Sequence, residues 1–430
     1  LTQRQRTLGY RALPSDIRTR PVTLERTSPV RVMSLRTSRL LVTLGLIGTS
    51  AFLYGILFGN ALRAWQTLLV NFLFFGGLAQ AGIVLSALFQ ITSASWARSL
   101  KRAAEATVAF LPVSFLLLLV LFLGIPTWAP WVDHPSSRDT WLNVPFFVAR
   151  EATAFLTLGI ISLAYVYHSL RPDIGMLHES GQRQASGFAY LLIKDWRGIR
   201  HEQTRGQRFQ GMLAPTVLIA YGWIFSLIAF DFVMALDRHW YSSLAGGYFF
   251  TGNILSGVAF LTLVAVWGRD RLQLHDYIGH GQIHDIGKLL FGFCILWAYM
   301  LWSQYLVIWY GDLPEEIQFV AHRMQGSWAP VTWLAFVLIF LAPFIVLLSR
   351  QVKSHAPSLV IIASAILVGI WLERFVLVSP SLWHGDKVPL GILELLITSG
   401  TFSLFILCYA MFIHTFPLLA VSDPRLNKVT

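Results

Sequence analysis

The chain contains ten long, almost uninterrupted apolar stretches, which is more than a water-soluble fold can bury. A helix needs about 20 apolar residues to cross the hydrocarbon core of a bilayer. The stretches lie at about 38–59, 65–92, 106–128, 145–168, 211–236, 246–268, 286–309, 328–350, 358–379 and 390–418. They lack the alternation that is typical of barrel strands. The sequence therefore predicts an all-α, polytopic membrane protein with ten transmembrane helices.

Composition supports this class. Hydrophobic residues make up 55% of the 430 residues and charged residues only 13%, whereas a soluble domain carries about 25% charge. The net charge is +11, but its distribution explains it without nucleic acid. Of the 33 Lys and Arg residues, 26 fall on the side of the N-terminal tail and only 5 on the opposite side. Because basic loops stay in the cytoplasm, both termini are predicted to be cytoplasmic.

Below, the side of the N-terminal tail is called inner and the opposite side outer. The predicted organisation is a basic cytoplasmic tail (1–37), a membrane domain (38–418) and a short cytoplasmic C-tail (419–430). Asp231 and Glu373 lie in similar apolar settings on two outward-running spans. This weak repeat indicates two four-helix bundles, at about 65–236 and 246–379, flanked by the first and last spans.

Ionisable groups at membrane depth are costly, so they usually pair or take part in function. Counting about 1.5 Å per residue puts six of them in one layer in the outer third of the membrane. They are Arg150, Glu151, Asp231, Glu373, Arg374 and Glu394. Neighbours in sequence do not face each other on a helix, so we expect ion pairs between helices and at least two acids without an arginine.

An acid without a cation at this depth can gain and lose a proton. We therefore predict proton transfer by Glu151, Asp231, Glu373 and Glu394, with Arg150 and Arg374 as charge partners. The alternative is that the whole set only holds helices together.

Two further groups of polar residues lie on the seventh span. His284, Asp285 and Lys288 at its inner end form a candidate cytoplasmic proton entry, or else a helix cap. Tyr299, Ser303, Gln304 and Tyr305 form an unusually polar and aromatic face. That face is predicted either to bind a quinone or carry a water chain, or to pack against another helix.

The sequence offers few ligands for redox centres. Its two cysteines, Cys294 and Cys408, lie in apolar runs, and there is no CxxCH motif and no four-cysteine set. His168 and His414 lie near the inner ends of spans, so no paired axial ligands for a b-type haem are evident. We expect no metal site and no covalently bound cofactor on this chain.

Two segments resemble a known family. They are Asp231-Phe-Val-Met-Ala-Leu-Asp-Arg-His-Trp-Tyr-Ser-Ser243 and residues 288–316, KLLFGFCILWAYMLWSQYLVIWYGDLPEE. The chain resembles the NrfD/PsrC-like membrane subunits of bacterial redox complexes, most closely the ActF subunit of alternative complex III, a quinol:cytochrome c oxidoreductase. The matching segments contain Asp231, Lys288, Ser303, Gln304, Tyr305 and an outer-face turn with Asp237, His239 and Tyr241.

The resemblance implies a partner set and a location. The partners would be a sister NrfD-like subunit, a haem c subunit, an iron–sulfur subunit and small membrane subunits. The haem c and iron–sulfur clusters would lie on those partners, in the bacterial inner membrane. A quinone or quinol would be the mobile substrate.

Three hypotheses follow. The first is a haem-free membrane subunit of a quinol:electron-acceptor oxidoreductase, which contributes to quinone interaction, proton transfer or both. The second is a secondary transporter with a buried carboxylate relay, although the charges lie away from the midplane that transporters favour. The third is a structural anchor, whose buried acids would tolerate neutral replacement.

Overall fold

The computed structural model describes residues 33–132, 140–181, 187–237, 239–271, 274–423 and 426. Within them the chain is helical and contains no strand. Ten helices are long and apolar enough to cross a membrane, which confirms the predicted class. With one short outer helix, α8, they are α1 Leu35–Leu57, α2 Ala61–Ile91, α3 Lys101–Leu123, α4 Val144–Glu179, α5 Ile199–Leu236, α6 Ala245–Arg271, α7 His280–Gly311, α8 Pro314–Met324, α9 Gly326–Leu347, α10 Ala356–Leu382 and α11 Ile392–Thr415. The tail 1–32 lies outside the described residues.

The polar stretch 169–210 is largely helical. Helix α4 continues to Glu179 and α5 already begins at Ile199. Apolar side chains at Leu170, Ile174 and Leu177 stay buried there. Both extensions are therefore held by packing beyond the apolar spans that the sequence delimits, and a five-residue helix, Phe188–Leu192, lies between them.

Helices α2 and α6 lie at the centre of the molecule. The most apolar part of α2 is buried throughout, because it packs against α3, α5, α6 and α11. Helix α6 also contacts α5, α7 and α10, so it joins the first group of helices to the second. Each half can then place polar side chains away from lipid.

The first and last spans pack against each other at the edge of the molecule. At their crossing, Gly48 and Gly400 approach so closely that a Cβ on Gly48 would lie 2.5 Å from the Cα of Gly400. Small residues of this kind let two membrane helices pack backbone to backbone. After α11, the chain returns to the inner ends of α4 and α5, where the Ser422 amide donates to Asp173 Oδ1 at 2.8 Å.

Candidate functional site

The outer acid of the first half, Asp231, is closed in an ion pair between helices, as helix geometry predicts. Arg150 on α4 donates to Asp231 on α5 through Nε at 3.0 Å and through a terminal nitrogen. Trp141 donates from Nε1 to the other Asp231 oxygen at 2.9 Å, and the Arg150 guanidinium lies 4.0 Å from the Trp141 ring centre. Both carboxylate oxygens of Asp231 are thereby engaged.

Glu151 differs from its neighbour. Its side chain is fully buried, and neither carboxyl oxygen has a hydrogen-bond partner. The nearest cation is Arg150, whose Nε lies 3.8 Å from Glu151 Oε1. Glu151 also lies against the carboxyl of Asp231, so two acids share the charge of Arg150.

The expectation that neighbours in sequence do not pair is wrong for Glu373. Arg374 donates to Glu373 Oε2 at 2.7 Å, because its long side chain curls around the helix. The other terminal nitrogen donates to the Phe249 carbonyl at 2.8 Å and to Asn253 Oδ1 at 3.0 Å, both on α6. This arrangement occupies one oxygen of Glu373 and leaves Oε1 without a close hydrogen bond, although the carboxyl also interacts with the Tyr248 hydroxyl on α6.

Glu394 has a partner that the sequence count assigned to an outer loop. Arg63, at the start of α2, binds both oxygens of Glu394 at 2.8 Å. Glu394 Oε2 also accepts from the Gly391 amide at 2.8 Å and so caps α11. A third arginine therefore lies in the layer, and the expectation of two acids without an arginine partner is wrong.

A large cavity adjoins Glu373 between α7, α8, α9 and α10. Its volume is about 750 Å³. Apolar and aromatic side chains form most of the wall, among them Ile308, Phe319, Phe336, Phe340 and Leu377. In α9 the wall includes part of a π-helical turn, Val337–Leu341, a feature that is frequent at functional sites.

Three buried polar atoms without partners belong to residues that line this cavity. They are Trp297 Nε1, Gln304 Oε1 and Glu373 Oε1. Such atoms are uncommon in folded proteins, because a buried polar group without a hydrogen bond costs about 1–3 kcal/mol. Each of these atoms is itself buried in the wall, so a ligand in the cavity would reach it only after a small side-chain rotation.

The predicted face of α7 is only partly brought to the cavity. Tyr299, Gln304 and Tyr305 line it, whereas Ser303 does not. Trp297 was missed by the sequence reasoning. Its position seven residues before Gln304 puts it on the same face of the helix, and that spacing could have revealed it.

The outer-face turn forms a short structured corner. Asp237 follows a 3-10 turn, Met234–Leu236, and its Oδ1 accepts from the His239 amide at 3.1 Å. His239 and Tyr241 are exposed. These residues lie outside the cavity lining.

The predicted proton entry lies at the inner start of α7. Lys288 Nζ is 2.9 Å from Asp285 Oδ1, and His284 Nδ1 is 3.9 Å from the same atom. Asp285 therefore interacts with both basic side chains at this end of the helix.

A second buried group of charges, at the inner ends of α3 and α4, was missed. This inner cluster consists of Lys101, Arg102, Glu105, Ser169 and Asp173, all buried. Arg102 pairs with Asp173 and Glu105, and Ser169 Oγ lies 2.8 Å from Glu105 Oε1. The sequence signal for this cluster is an acid, Glu105, four residues after Lys101 and three after Arg102 on one helix.

Within the residues that the structure describes, no group of three or more His, Cys, Asp or Glu side chains could hold a metal ion. Comparison with known families gives a match to the family described as polysulphide reductase, NrfD, over residues 57–384. No curated protein matches the chain. The matched region contains α2 to α10, and hence every residue of the cavity. The chain therefore belongs to the NrfD family, whose members are integral membrane subunits of quinone-interacting oxidoreductases.

Proposed function

We propose that this chain is the haem-free membrane subunit of a quinol:electron-acceptor oxidoreductase of the alternative complex III type, and that its cavity receives a quinol head group. The observation that carries the proposal is a large apolar cavity whose wall includes Glu373, Gln304 and Trp297, each of which has a buried polar atom without a hydrogen bond. A quinol combines a polar head with a long apolar tail, so it suits such a cavity. The volume of about 750 Å³ lies within the range of ligand pockets.

The polar atoms match a quinol in kind. Each of its two hydroxyl groups needs an acceptor, and Glu373 Oε1 and Gln304 Oε1 are acceptors. The Trp297 Nε1–H is a donor, which suits the carbonyl oxygen formed on oxidation. The same three side chains can therefore bind the reduced and the oxidised forms.

Glu373 is the proposed proton acceptor. Oxidation of a quinol to a quinone releases two electrons and two protons. Glu373 Oε1 would accept one proton from a hydroxyl group, and the second would leave the other hydroxyl group for water. Arg374 holds Oε2 at 2.7 Å and fixes the carboxyl. The electrons would pass to haem c and iron–sulfur clusters on the partner subunits, which, with the sister subunit, belong to the proposed complex in the bacterial inner membrane.

The contacts of the other acids suggest different tasks. Asp231 and Glu394 both have two engaged oxygens, which favours helix packing. Glu151 has free oxygens and remains a candidate for proton transfer. Membership of the NrfD family favours the oxidoreductase hypothesis over the secondary transporter.

Complex formation is tested by mild-detergent purification through a tag on the C-tail, followed by a reduced-minus-oxidised spectrum. We expect haem c from a partner subunit to co-purify. A colourless protein that is recovered alone from several detergents would contradict the proposed complex.

The role of the cavity is tested by Glu373→Gln in the purified complex. We expect quinol oxidation to fall by more than about tenfold, with haem content unchanged. Ser303→Ala is the matched control, because Ser303 is adjacent to Gln304 in sequence but does not line the cavity; it should retain full activity. Equal turnover in wild type and Glu373→Gln would refute the assignment of Glu373.

A further inference from the structure

Helix α8 covers the outer end of the cavity. It is only eleven residues long, and Phe319, Val320, Arg323 and Met324 from it line the cavity. The neighbouring walls are membrane-spanning helices, whereas α8 lies among the outer connections. It therefore forms the outer part of the cavity wall.

One side chain, Arg323, fastens α8 to the outer end of α10. Its Nε donates to the Val376 carbonyl at 3.0 Å, and a terminal nitrogen donates to the Leu377 carbonyl at 3.0 Å and to Ser381 Oγ at 2.8 Å. Pro380 lies inside α10 and has no N–H to donate to the carbonyl four residues earlier, that of Val376. The proline thus leaves this carbonyl free to accept from Arg323.

An aromatic stack adds to this attachment. The Arg323 guanidinium lies 3.4 Å from the Phe319 ring centre. The Phe319 ring in turn stacks on that of Trp240, with ring centres 3.7 Å apart and planes at 4°. The closed position of α8 therefore depends on contacts from two separate elements, α10 and the outer-face turn.

The attachment lacks an ion pair. Among the residues that the structure describes, no carboxylate lies within 4 Å of an Arg323 nitrogen, and all its hydrogen bonds go to neutral oxygens. Burial lowers the pKa of Arg323 to about 9, so the side chain is still charged at neutral pH. These bonds come from a charged donor, but Asp237 acts on Arg323 only from beyond hydrogen-bond distance. The attachment therefore lacks the direct contact between opposite charges that the Arg150–Asp231 pair has.

A residue in the left-handed backbone region lies near each end of α8, and the second of them is the first residue of α9. Asp312 before the helix has φ of 49°, and Gly326 after it has φ of 60°. Residues at the ends of an element are where hinge motions are absorbed. The helix can therefore turn as a unit without unfolding its neighbours.

We propose that α8 is a hinged lid on the cavity, latched by Arg323, whose opening connects the cavity to the outer aqueous side. The inference rests on the proposed function only for the identity of the molecule inside the cavity. With the lid open, a proton held on Glu373 has a route to water; with it closed, Arg323 and Phe319 block that route.

The test is hydrogen–deuterium exchange of the purified complex, followed by mass spectrometry of peptides from residues 312–326. Arg323→Gln should speed exchange in α8 by about tenfold, because opening then breaks fewer hydrogen bonds. Ser381→Ala removes one acceptor only and should give a smaller increase, about threefold. Ser381→Ala also tests the lid if the Arg323→Gln complex does not assemble.

Lys387→Gln is the matched control, since it removes a positive charge from the same outer side without a described hydrogen bond of that side chain. Its α8 exchange should equal that of wild type. Unchanged α8 exchange in both Arg323→Gln and Ser381→Ala would overturn the lid.

A second arm separates the lid from the proposed function. Decylubiquinone added to the wild-type complex should slow exchange in α8, because a filled cavity supports the closed lid. Faster exchange in Arg323→Gln with no effect of decylubiquinone would uphold the lid and contradict the quinol site. Slower exchange with decylubiquinone, together with unchanged exchange in both variants, would support the quinol site and contradict the lid.

Discussion

The outer ends of the two halves carry similar residues in opposite settings. Each has an acid near the end of an outward-running helix, Asp231 on α5 and Glu373 on α10. Around Asp231 the space is filled by large aromatic side chains, and Trp128 and Phe147 both pack against Phe232. Beside Glu373 there is a cavity of about 750 Å³ instead.

The difference between the two acids lies in where their arginines point. Arg150 reaches across to the neighbouring helix and, with Trp141, satisfies both oxygens of Asp231. Arg374 binds its own neighbour and donates to α6 from its other terminal nitrogen, while its Nε has no partner. An acid with both oxygens engaged joins helices, whereas an acid with a free oxygen beside a cavity is available to a ligand.

The largest expected effect comes from breaking the closed pair. Arg150→Gln leaves Asp231 and Glu151 buried without their cation, and removing one partner of a buried ion pair costs about 3–5 kcal/mol. We expect a strongly lowered melting temperature of the purified complex, or loss of the subunit from it.

The control for this prediction is the double variant Arg150→Gln/Asp231→Asn. Since it removes the orphaned charge together with its partner, it should recover part of the lost stability. A melting temperature unchanged in Arg150→Gln would show that the pair does not support the first half.

The same substitution at two positions tests whether the region around Asp231 is tightly packed while the region beside Glu373 contains a cavity. Ala229 is buried on α5 close to Asp231 in sequence, and Ala335 on α9 lines the cavity. Ala229→Phe overpacks a filled region and should cost about 1–3 kcal/mol. Ala335→Phe can extend into the cavity, so it should change stability little but weaken decylubiquinone binding by about tenfold.

Thermal unfolding and a quinone titration of each variant measure these effects. Equal destabilisation by the two substitutions would mean that the cavity cannot accommodate a ring. Undiminished quinone binding in Ala335→Phe would place the quinone elsewhere.

The sequence predicted the helices better than the pairs. Length and hydropathy suffice for ten spans, because each span must satisfy its own backbone in lipid. Pairing depends on side-chain reach and helix rotation, which hydropathy does not contain. Arg63 was therefore counted with a loop, although it holds Glu394 at 2.8 Å.

The cavity was likewise predictable from the sequence only in part. A polar and aromatic face on α7 could be recognised from Gln304 and its neighbours. That Ser303 is excluded while Trp297 is included depends on the rotation of α7 against α9 and α10. The role of Pro380 could not be read from the sequence at all, since it requires knowing that Arg323 reaches the end of α10.

The smallest predicted effect is a pH dependence of the opening of α8 over the cavity. His322 is adjacent to Arg323, and partial burial together with the charge of Arg323 lowers the pKa of His322 below its ordinary value of 6.5. His384 opposes its protonation as well, while Asp237 favours it. Because the lowered pKa belongs to the closed lid, protonation of His322 favours the open lid as the pH falls below 6.5.

After correction for intrinsic exchange rates, acidification from about pH 7.5 to 5.5 should speed exchange in α8 by about twofold in wild type. His322→Gln should remove that acceleration. The side chain is exposed, so the effect should also shrink at high salt. We expect no similar pH dependence around Arg150 in the first half, since a carboxylate, that of Asp231, holds this arginine. Equal acceleration in wild type and His322→Gln would show that protonation of this histidine does not control the opening of the lid.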